Sequence, residues 1–366
     1  MTILSILSAV LLLAILIVVH ELGHFWAARL MKIRVNEFGV GFGPRLFGWK
    51  SKKHGTDFVI RAIPLGGYNA FHGEDGTEAA NPGGEKVTEA DPEAWRNQNV
   101  WKRMFVVLMG PVMNFLLAFL LATGYYWVSG IPYVTGVDPY ISQVNGAGPA
   151  WDAGLQAGDI ILEINGENML DGTMDTLLGA IGGYQEGEPP LRLTVRRGEE
   201  TLEMEMTPRW NEDEGRMMAG VMIGGQYRTE TERANLIQAA GASAQMCWRA
   251  GGMILNALKN LVTTGEGLED TSGPVGIISL VSAQVRTGGF DAFLELLISI
   301  SINLGIMNLL PIPGLDGSKL ILGLFEAARG KPVSEKAEGI INAAGVILLL
   351  GLMTLLTFRD VWRIFQ

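Results

Sequence analysis

The chain has 366 residues, 48% of them hydrophobic, and a mean hydropathy of +0.25. It is too apolar for an ordinary soluble enzyme and too polar to lie entirely in a membrane, so we expect membrane spans and one polar domain. A net charge of −10 and a pI near 5.0 argue against nucleic acid as a partner. The single cysteine, Cys247, excludes an intrachain disulfide, and we interpret it as a small packing residue.

The first predicted element is a membrane span over residues 1–31, which contains the motif His20-Glu21-Leu22-Gly23-His24. No charged side chain precedes His20, and the stretch lacks a basic start and a small-residue cleavage site, so we expect a retained helix and not a signal peptide. On a helix, His20 and His24 share a face and can bind one metal ion, while Glu21 can take a proton from water that the metal activates. Because an ionisable glutamate is costly in an apolar helix, the motif predicts a catalytic metal site inside the membrane.

Residues 32–103 are polar, and two stretches within them, 36–44 and 57–68, are predicted to be extended. Beside a buried metal centre these strands indicate a membrane-associated β-hairpin at the bilayer edge, where a free strand edge can pair with an extended substrate. A small cytosolic hairpin explains the same residues equally well. In the second stretch, the residues predicted to bind substrate are Phe58, Val59, Ile60 and Arg61.

The other two histidines, His54 and His72, lie in the same polar segment. Neither has a partner at metal-ligand spacing, so we expect both to be exposed and neither to bind the metal. Residues 73–92 are acidic and rich in Gly and Pro, which predicts a flexible loop.

A second span is predicted over residues 104–130, and it carries two features that are unfavourable in hydrocarbon. Pro111 removes a backbone hydrogen bond, and Asn114 places an amide among apolar side chains. Both are tolerated where neighbouring helices or a cavity supply partners. A structural bond between helices explains Asn114 at least as well as a role in the site.

Residues 131–228 are predicted to form a soluble domain with strands at 140–144 and 191–196. Between these strands, residues 148–166 resemble the core signature of a PDZ domain, with a short helix, a Gly-Asp pair and a strand that ends in Asn-Gly. PDZ domains bind extended peptides or chain ends by strand addition, so the resemblance implies such a partner. By resemblance to bacterial permuted PDZ domains, the groove strand comes last and consists of Val221, Met222, Ile223 and Gly224.

The remaining predicted elements return to the membrane. Polar residues interrupt 233–262, so within residues 229–290 we expect an amphipathic helical segment and a loop, not a fifth span. The third span lies within 291–318, where prolines break the helix and Asp316 follows, either as a carboxylate at membrane depth or as a simple helix cap. Residues 319–366 are predicted to hold a cytoplasmic loop and the fourth span.

The alternating direction of the spans places the ends of the first and third spans on one side of the membrane. His20, His24 and Asp316 can then act as three protein ligands that leave the fourth position of a tetrahedral metal open, and this ligand set favours zinc. Lys and Arg are enriched in the loops that follow these two spans. The positive-inside rule therefore puts the metal near the cytoplasmic face, and the soluble domain and both termini outside.

A resemblance to a known family covers nearly the whole chain. It is carried by His20-Glu-Leu-Gly-His24, Gly110-Pro-Val-Met-Asn114, the PDZ signature and Asn308-Leu-Leu-Pro-Ile-Pro-Gly-Leu-Asp-Gly317. In this order the motifs resemble the site-2 protease family of intramembrane zinc metalloproteases, and within it the bacterial regulator of sigma-E protease branch. The resemblance implies that His20, His24 and Asp316 bind Zn²⁺. It also implies that Glu21 is the catalytic base and that Asn308 helps to hold the substrate backbone.

The reaction implied by the resemblance is hydrolysis within the transmembrane helix of a single-span protein after a first protease has trimmed it, in regulated intramembrane proteolysis. Implied substrates are anti-sigma factors, as in a sigma-E stress response, and remnant signal peptides. The implied location is the inner membrane of a bacterium, with the PDZ domain in the periplasm. The best-known members carry two PDZ domains in tandem, whereas this sequence has one.

These features predict a polytopic α-helical membrane protein with about four transmembrane helices, a membrane-associated β-hairpin and one inserted periplasmic PDZ domain of the α+β class. A membrane-anchored PDZ binding protein with an inactive metal site is one alternative, although a structural site needs no base such as Glu21. A metal-dependent transporter or sensor is another alternative. It predicts more polar groups along a path through the membrane than the sequence contains.

Overall fold

The computed structural model describes residues 3–74, 77, 79–80, 82, 87–88, 90–146, 148–170, 174–212, 215–265, 267, 271 and 273–364. The chain divides into two compact units, one made of Met1–Tyr125 and Leu236–Gln366 and the other of Tyr126–Asn235. The helices, in chain order, are α1 (Ile3–Leu30), α2 (Val100–Ser129), α3 (Pro149–Asp152), α4 (Met174–Gly182), α5 (Leu236–Thr263), α6 (Pro274–Leu309), α7 (Asp316–Arg329) and α8 (Glu335–Ile364). The strands are β1 (Val35–Lys50), β2 (Asp57–Phe71), β3 (Ile131–Val144), β4 (Ile160–Ile164), β5 (Glu167–Asn168), β6 (Leu191–Arg197), β7 (Glu200–Met206), β8 (Arg209–Asn211), β9 (Arg216–Met218) and β10 (Val221–Glu232).

Four helices in the described part of the chain are long and apolar enough to cross a membrane. Their apolar stretches are Leu7–Leu30 in α1, Val100–Ser129 in α2, Val275–Leu309 in α6 and Ala337–Asp360 in α8. The predicted number of spans is thus confirmed. The helix α5 is not among them, in line with the expectation of an amphipathic segment. It packs on α6 through a cluster that includes the half-buried Cys247, which suits a packing residue.

The third span is longer than predicted. Its helix, α6, begins at Pro274, inside the stretch expected to be a loop, and bends at Gly289, whose φ of 60° is not helical. A proline is favourable in the first turn because its missing N–H would have no partner there. The helix ends at Leu309, since the prolines that follow cannot continue it. The loop expected after this span is also partly helical, because α7 occupies it.

The strands β1 and β2 form a sheet that folds back on itself. Residues 37–40 pair both with residues 57–60 and with residues 67–70, while residues 45–50 pair with 57–61. The segments therefore lie in the order 45–50, 57–61, 35–40 and 67–71. The bend in β1 needs glycine, because Gly41 and Gly43 have φ values of 87° and 86° in the left-handed region.

This order corrects the predicted substrate edge. Phe58, Val59 and Ile60 have a neighbouring segment on each side, and Arg61 pairs with Arg45, so this stretch is the interior of the sheet. Among the described residues, 45–50 and 67–70 each pair on one side only and form the two edges of the sheet. The free edge at 67–70 is the one that lies against Glu21. Several large apolar side chains of the sheet are exposed: Phe42, Leu46, Phe47, Trp49, Ile60 and Ile63.

The segment between the sheet and α2 contains a second correction. His72 is buried, not exposed: its Nε2 lies 3.0 Å from Asp91 Oδ2, and its Nδ1 lies 3.3 Å from Asn36 Nδ2. His54 is exposed as expected and contacts Arg29. Within the loop expected at 73–92, residues 75–76, 78, 81, 83–86 and 89 lie outside the described residues.

The second unit contains one larger sheet with the strand order β10-β3-β4-β6-β7, and β5 pairs with β4. Its core includes Ile141 on β3, Leu177 and Ile181 on α4, and Val195 on β6. Of the residues predicted to line a peptide groove, Val221 and Ile223 pack against this core and Met222 is exposed. In the described part of the chain, β10 has β3 as its only neighbour, so it is an edge strand.

Candidate metal centre

Three side chains meet where α1 passes the start of α7. The ligand atoms of His20, His24 and Asp316 all lie within 4.8 Å of one another. Asp316 Oδ2 is 3.1 Å from His20 Nε2 and 3.3 Å from His24 Nε2, and the two Nε2 atoms are 3.2 Å apart. The two histidines are 8% and 7% exposed, so bulk water does not screen the cluster. The distant Asp316 thus joins the two histidines, as the alternation of the spans led us to expect.

The elements that place these ligands follow from the sequence. His20 and His24 lie one turn apart on α1, and Asp316 opens α7 after the prolines that end α6. The helix α2 reaches the imidazoles through Gly110. A Cβ at this position would overlap the His24 ring and lie 2.9 Å from Cε1 of His20. Only glycine fits there without moving the rings.

Hydrogen bonds from α2 orient both rings. His24 Nδ1 lies 2.9 Å from the carbonyl oxygen of Val106, and donation of its N–H leaves the Nε2 lone pair for a metal. Asn114 Nδ2 lies 3.2 Å from His20 Nδ1, while Asn114 Oδ1 is buried without a hydrogen-bond partner among the described residues. Rotation of this amide by 180° would let Oδ1 accept the N–H of His20 Nδ1, which frees the second Nε2 in the same way.

The cluster fits a metal ion. Asp316 Oδ2 is buried and has no hydrogen-bond partner among the residues described, although two imidazole nitrogens lie within 3.3 Å of it. Converging lone pairs at this distance repel one another unless a cation lies between them. Two imidazole nitrogens with one carboxylate oxygen form the three-ligand set of a catalytic zinc site with one open position.

The predicted base, Glu21, is 8% exposed and lies against the edge of the sheet. Asn69 Nδ2 donates hydrogen bonds to Glu21 Oε2 at 2.7 Å and to the Glu21 carbonyl oxygen at 2.9 Å. The backbone at Gly67 is also close, because a Cβ there would be 2.7 Å from Glu21 Cγ. The sequence analysis did not identify Asn69. Its only indication in the sequence is a polar side chain directly after the stretch predicted to be extended, 57–68.

Asn308, at the end of α6, also reaches the centre. Its Nδ2 lies 3.5 Å from both ring nitrogens of His20. Asn114 contacts the centre and also links two helices. Its side-chain amide lies beside His20, and its backbone carbonyl oxygen accepts a hydrogen bond from the hydroxyl of Ser301 on α6 at 2.8 Å. Arg61 is turned elsewhere, since it donates to Glu37 Oε1 at 2.7 Å and to the Tyr68 hydroxyl at 2.8 Å.

The profile of peptidase family M50 matches residues 8–352. The chain belongs to peptidase family M50. This confirms the resemblance to site-2 proteases that the sequence motifs carried.

Relatives of this M50 protease match it over nearly their whole length. A Nostoc protein provisionally named a zinc metalloprotease is 34% identical, with 97% of this chain and 95% of that protein covered. A Clostridium acetobutylicum protein with the same kind of name is 31% identical over 99% of this chain and 98% of its own. A Bacillus subtilis protein named regulator of sigma-W protease is 30% identical, with 99% of each chain covered. The M50 protease is therefore a zinc metalloprotease and a multi-pass membrane protein, which confirms the predicted enzyme class and metal.

Among solved structures, the PDZ domain of an SdrC-like protein from Listeria innocua covers 24% of this chain and 92% of that domain. It has 21% identity and a TM-score of 0.21. A score this low supports no inference about the second unit.

Proposed function

We propose that this M50 protease hydrolyses peptide bonds within the membrane-spanning segments of single-span proteins. The observation that carries the proposal is the position of Glu21 and both histidines inside Leu7–Leu30, a helix apolar enough to cross a membrane. A protease whose base lies there meets substrates in the membrane, since buried charge in such a helix needs a function.

The chemistry follows from the side chains at the centre. His20, His24 and Asp316 would hold the zinc ion, which would supply Lewis-acid chemistry toward a peptide carbonyl and water. Glu21 accepts a proton from the attacking water and returns it to the leaving amine. Asn308 would hold the substrate backbone close to the ligands, and its contact with His20 supports this role.

The substrate helix must unwind before cleavage, because a helix satisfies its own backbone N–H and C=O groups. We propose residues 67–70, and not 58–61, as the strand edge that supplies replacement hydrogen bonds, since this edge lies against Glu21. The exposed apolar side chains of the sheet favour insertion into the bilayer over a cytosolic hairpin.

The proposal includes the location of the protein in the cell, its partners and its substrates. We place the metal near the cytoplasmic face of a bacterial inner membrane and the second unit in the periplasm, on the distribution of Lys and Arg. There the free edge of β10 would bind an extended peptide or chain end in the manner of a PDZ domain. Anti-sigma factors already trimmed by a first protease and remnant signal peptides are the proposed substrates, supported by the name of the Bacillus relative. A role in a sigma-E stress response, which the motifs imply by resemblance, stays a prediction.

The proposal is tested by cleavage of a tagged single-span substrate by the purified protein in detergent. Wild type and Glu21→Gln are compared, each with and without a zinc chelator. We expect cleavage by wild type without chelator, and a cleavage rate at least about 100-fold lower in Glu21→Gln. The chelator should abolish cleavage by wild type. Cleavage that survives both the substitution and the chelator would contradict the proposal. If no sample cleaves and the second unit binds peptides, a membrane-anchored binding protein becomes the better explanation.

A further inference from the structure

Asn69 contacts the base through only one end of its side-chain amide. Its Nδ2 donates to both the carboxylate and the carbonyl oxygen of Glu21. One bond holds the carboxylate, and the other ties the same nitrogen to the backbone of Glu21. Together they fix the carboxylate relative to its own helix more strictly than a single contact would. They also leave the amide little freedom to rotate, because the exchange of its nitrogen and oxygen would break both bonds.

The other end of the amide has no partner. Asn69 Oδ1 is buried and has no hydrogen bond to any described residue. A buried acceptor left unsatisfied is unfavourable, so a donor that binds there is favoured. Asn69 also lines a cavity of about 480 Å³ together with Tyr68, Lys319 and Asn342, and a donor in this cavity would reach Oδ1 once the side chains that cover it shift.

The chemistry of peptide hydrolysis identifies a donor. In the proposed reaction Glu21 returns a proton to the nitrogen of the scissile bond, so that nitrogen must come close to the Glu21 carboxylate. Asn69 Nδ2 is 2.7 Å from the same carboxylate, and Asn69 belongs to the free edge against which an extended substrate would lie. The N–H of the scissile peptide is therefore a donor of the right kind in the right place.

We propose that Asn69 is a positioning residue that joins substrate binding to the catalytic base. Its Nδ2 holds the Glu21 carboxylate in place, and its Oδ1 accepts the N–H of the peptide bond to be cleaved. This inference rests on the proposed function and adds a specific role for the strand edge. One amide then sets the distance between the base and the nitrogen that the base must protonate.

Two variants separate the two ends of the amide, and both are measured with the full-length protein in detergent on the tagged single-span substrate. Asn69→Asp keeps an oxygen acceptor but replaces the donor by a second carboxylate beside Glu21, which repels the base or shares its proton, so kcat should fall about 10- to 100-fold while KM stays within about twofold. Asn69→Leu loses both ends, so kcat should fall equally and KM should rise several-fold in addition. Bound zinc should stay near one per chain in both variants, because neither change touches a ligand.

The controls keep the outcomes distinct. Asn256→Leu makes the same change at an exposed position of α5, outside the lining of this cavity, and should leave kcat and KM unchanged. If wild type and Glu21→Gln are both inactive, the proposed function itself fails. If wild type cleaves and Glu21→Gln does not, but kcat of both Asn69 variants stays within about threefold of wild type, the role of Asn69 alone is refuted. A fall in kcat that follows loss of zinc or of folded protein in Asn69→Asp would make Asn69 a structural residue and would also refute it.

Discussion

A methyl group at Gly110 should weaken zinc binding although it changes no ligand. In the structure, a Cβ at this position would overlap the His24 imidazole and lie 2.9 Å from Cε1 of His20. Real Cβ contacts essentially never fall below 3.0 Å, so either the rings or α2 must move. The rings have little room to yield, because His24 is bonded to Val106 on α2 itself and both Nε2 atoms converge on Asp316.

The magnitude follows from the cost of overpacking a closely packed site, which is about 1–3 kcal/mol. A tenfold change in affinity corresponds to about 1.4 kcal/mol. If the whole cost applies to the zinc-bound state, the zinc affinity of Gly110→Ala should fall about 5- to 150-fold. Cleavage should fall in parallel at limiting zinc and recover partly at excess zinc. Affinity is measured by competition with a chromophoric chelator.

A matched control lies on the same helix. A Cβ at Gly124 would meet no atom of the described residues within 4 Å, so Gly124→Ala should leave zinc affinity unchanged. It should also raise thermal stability slightly, since alanine is favoured over glycine in a helix by about 0.5–1 kcal/mol. Equal zinc affinities for Gly110→Ala and Gly124→Ala would show that α2 does not constrain the ligands and would refute the reasoning.

Two further predictions concern stability. The Gly276 N–H at the start of α6 is bonded at 2.8 Å to the buried Asp360 carboxylate on α8. Asp360→Ala should therefore lower stability by about 1–2 kcal/mol in thermal unfolding, whereas Asp360→Asn should lose less. Burial alone would raise the pKa of Asp159, but hydrogen bonds from Arg197 and the Gln156 N–H lower it. A lowered pKa stabilises the folded state above the pKa of Asp in the unfolded chain, about 3.9, and this stabilisation is lost as pH falls through the pKa of Asp159 in the folded state. Arg197→Met should therefore shift the acid unfolding of the second unit, Tyr126–Asn235, to higher pH. An unchanged acid midpoint, followed by tryptophan fluorescence, would contradict this.

The cluster of His20, His24 and Asp316 was predictable because its signals are local or topological. His20 and His24 meet through the helical repeat, which needs no tertiary information. Asp316 lies far away in sequence, but the alternation of apolar spans is enough to place it at the same membrane face. The error at His72 has the opposite origin. Its partners Asn36 and Asp91 come from separate segments, and nothing in the composition around a polar histidine indicates that they will enclose it.

The environment of the base could not be predicted, because it depends on a strand register that no local pattern specifies. Extended stretches at 36–44 and 57–68 indicate a hairpin, and a simple hairpin would leave 58–61 on an open edge. The left-handed glycines at 41 and 43 instead fold β1 back, so that residues 45–50 enclose 58–60. A second bend lies in β2, where Gly66 has a φ of 87°, and beyond it residues 67–70 pair on the other side of 37–40. Beyond this second bend, Asn69 contacts Glu21, and its amide oxygen has no hydrogen-bond partner among the described residues. The contact between Asn69 and Glu21 and the strand edge at 67–70 both depend on the bend in β2, so a change at Gly66 should alter both together.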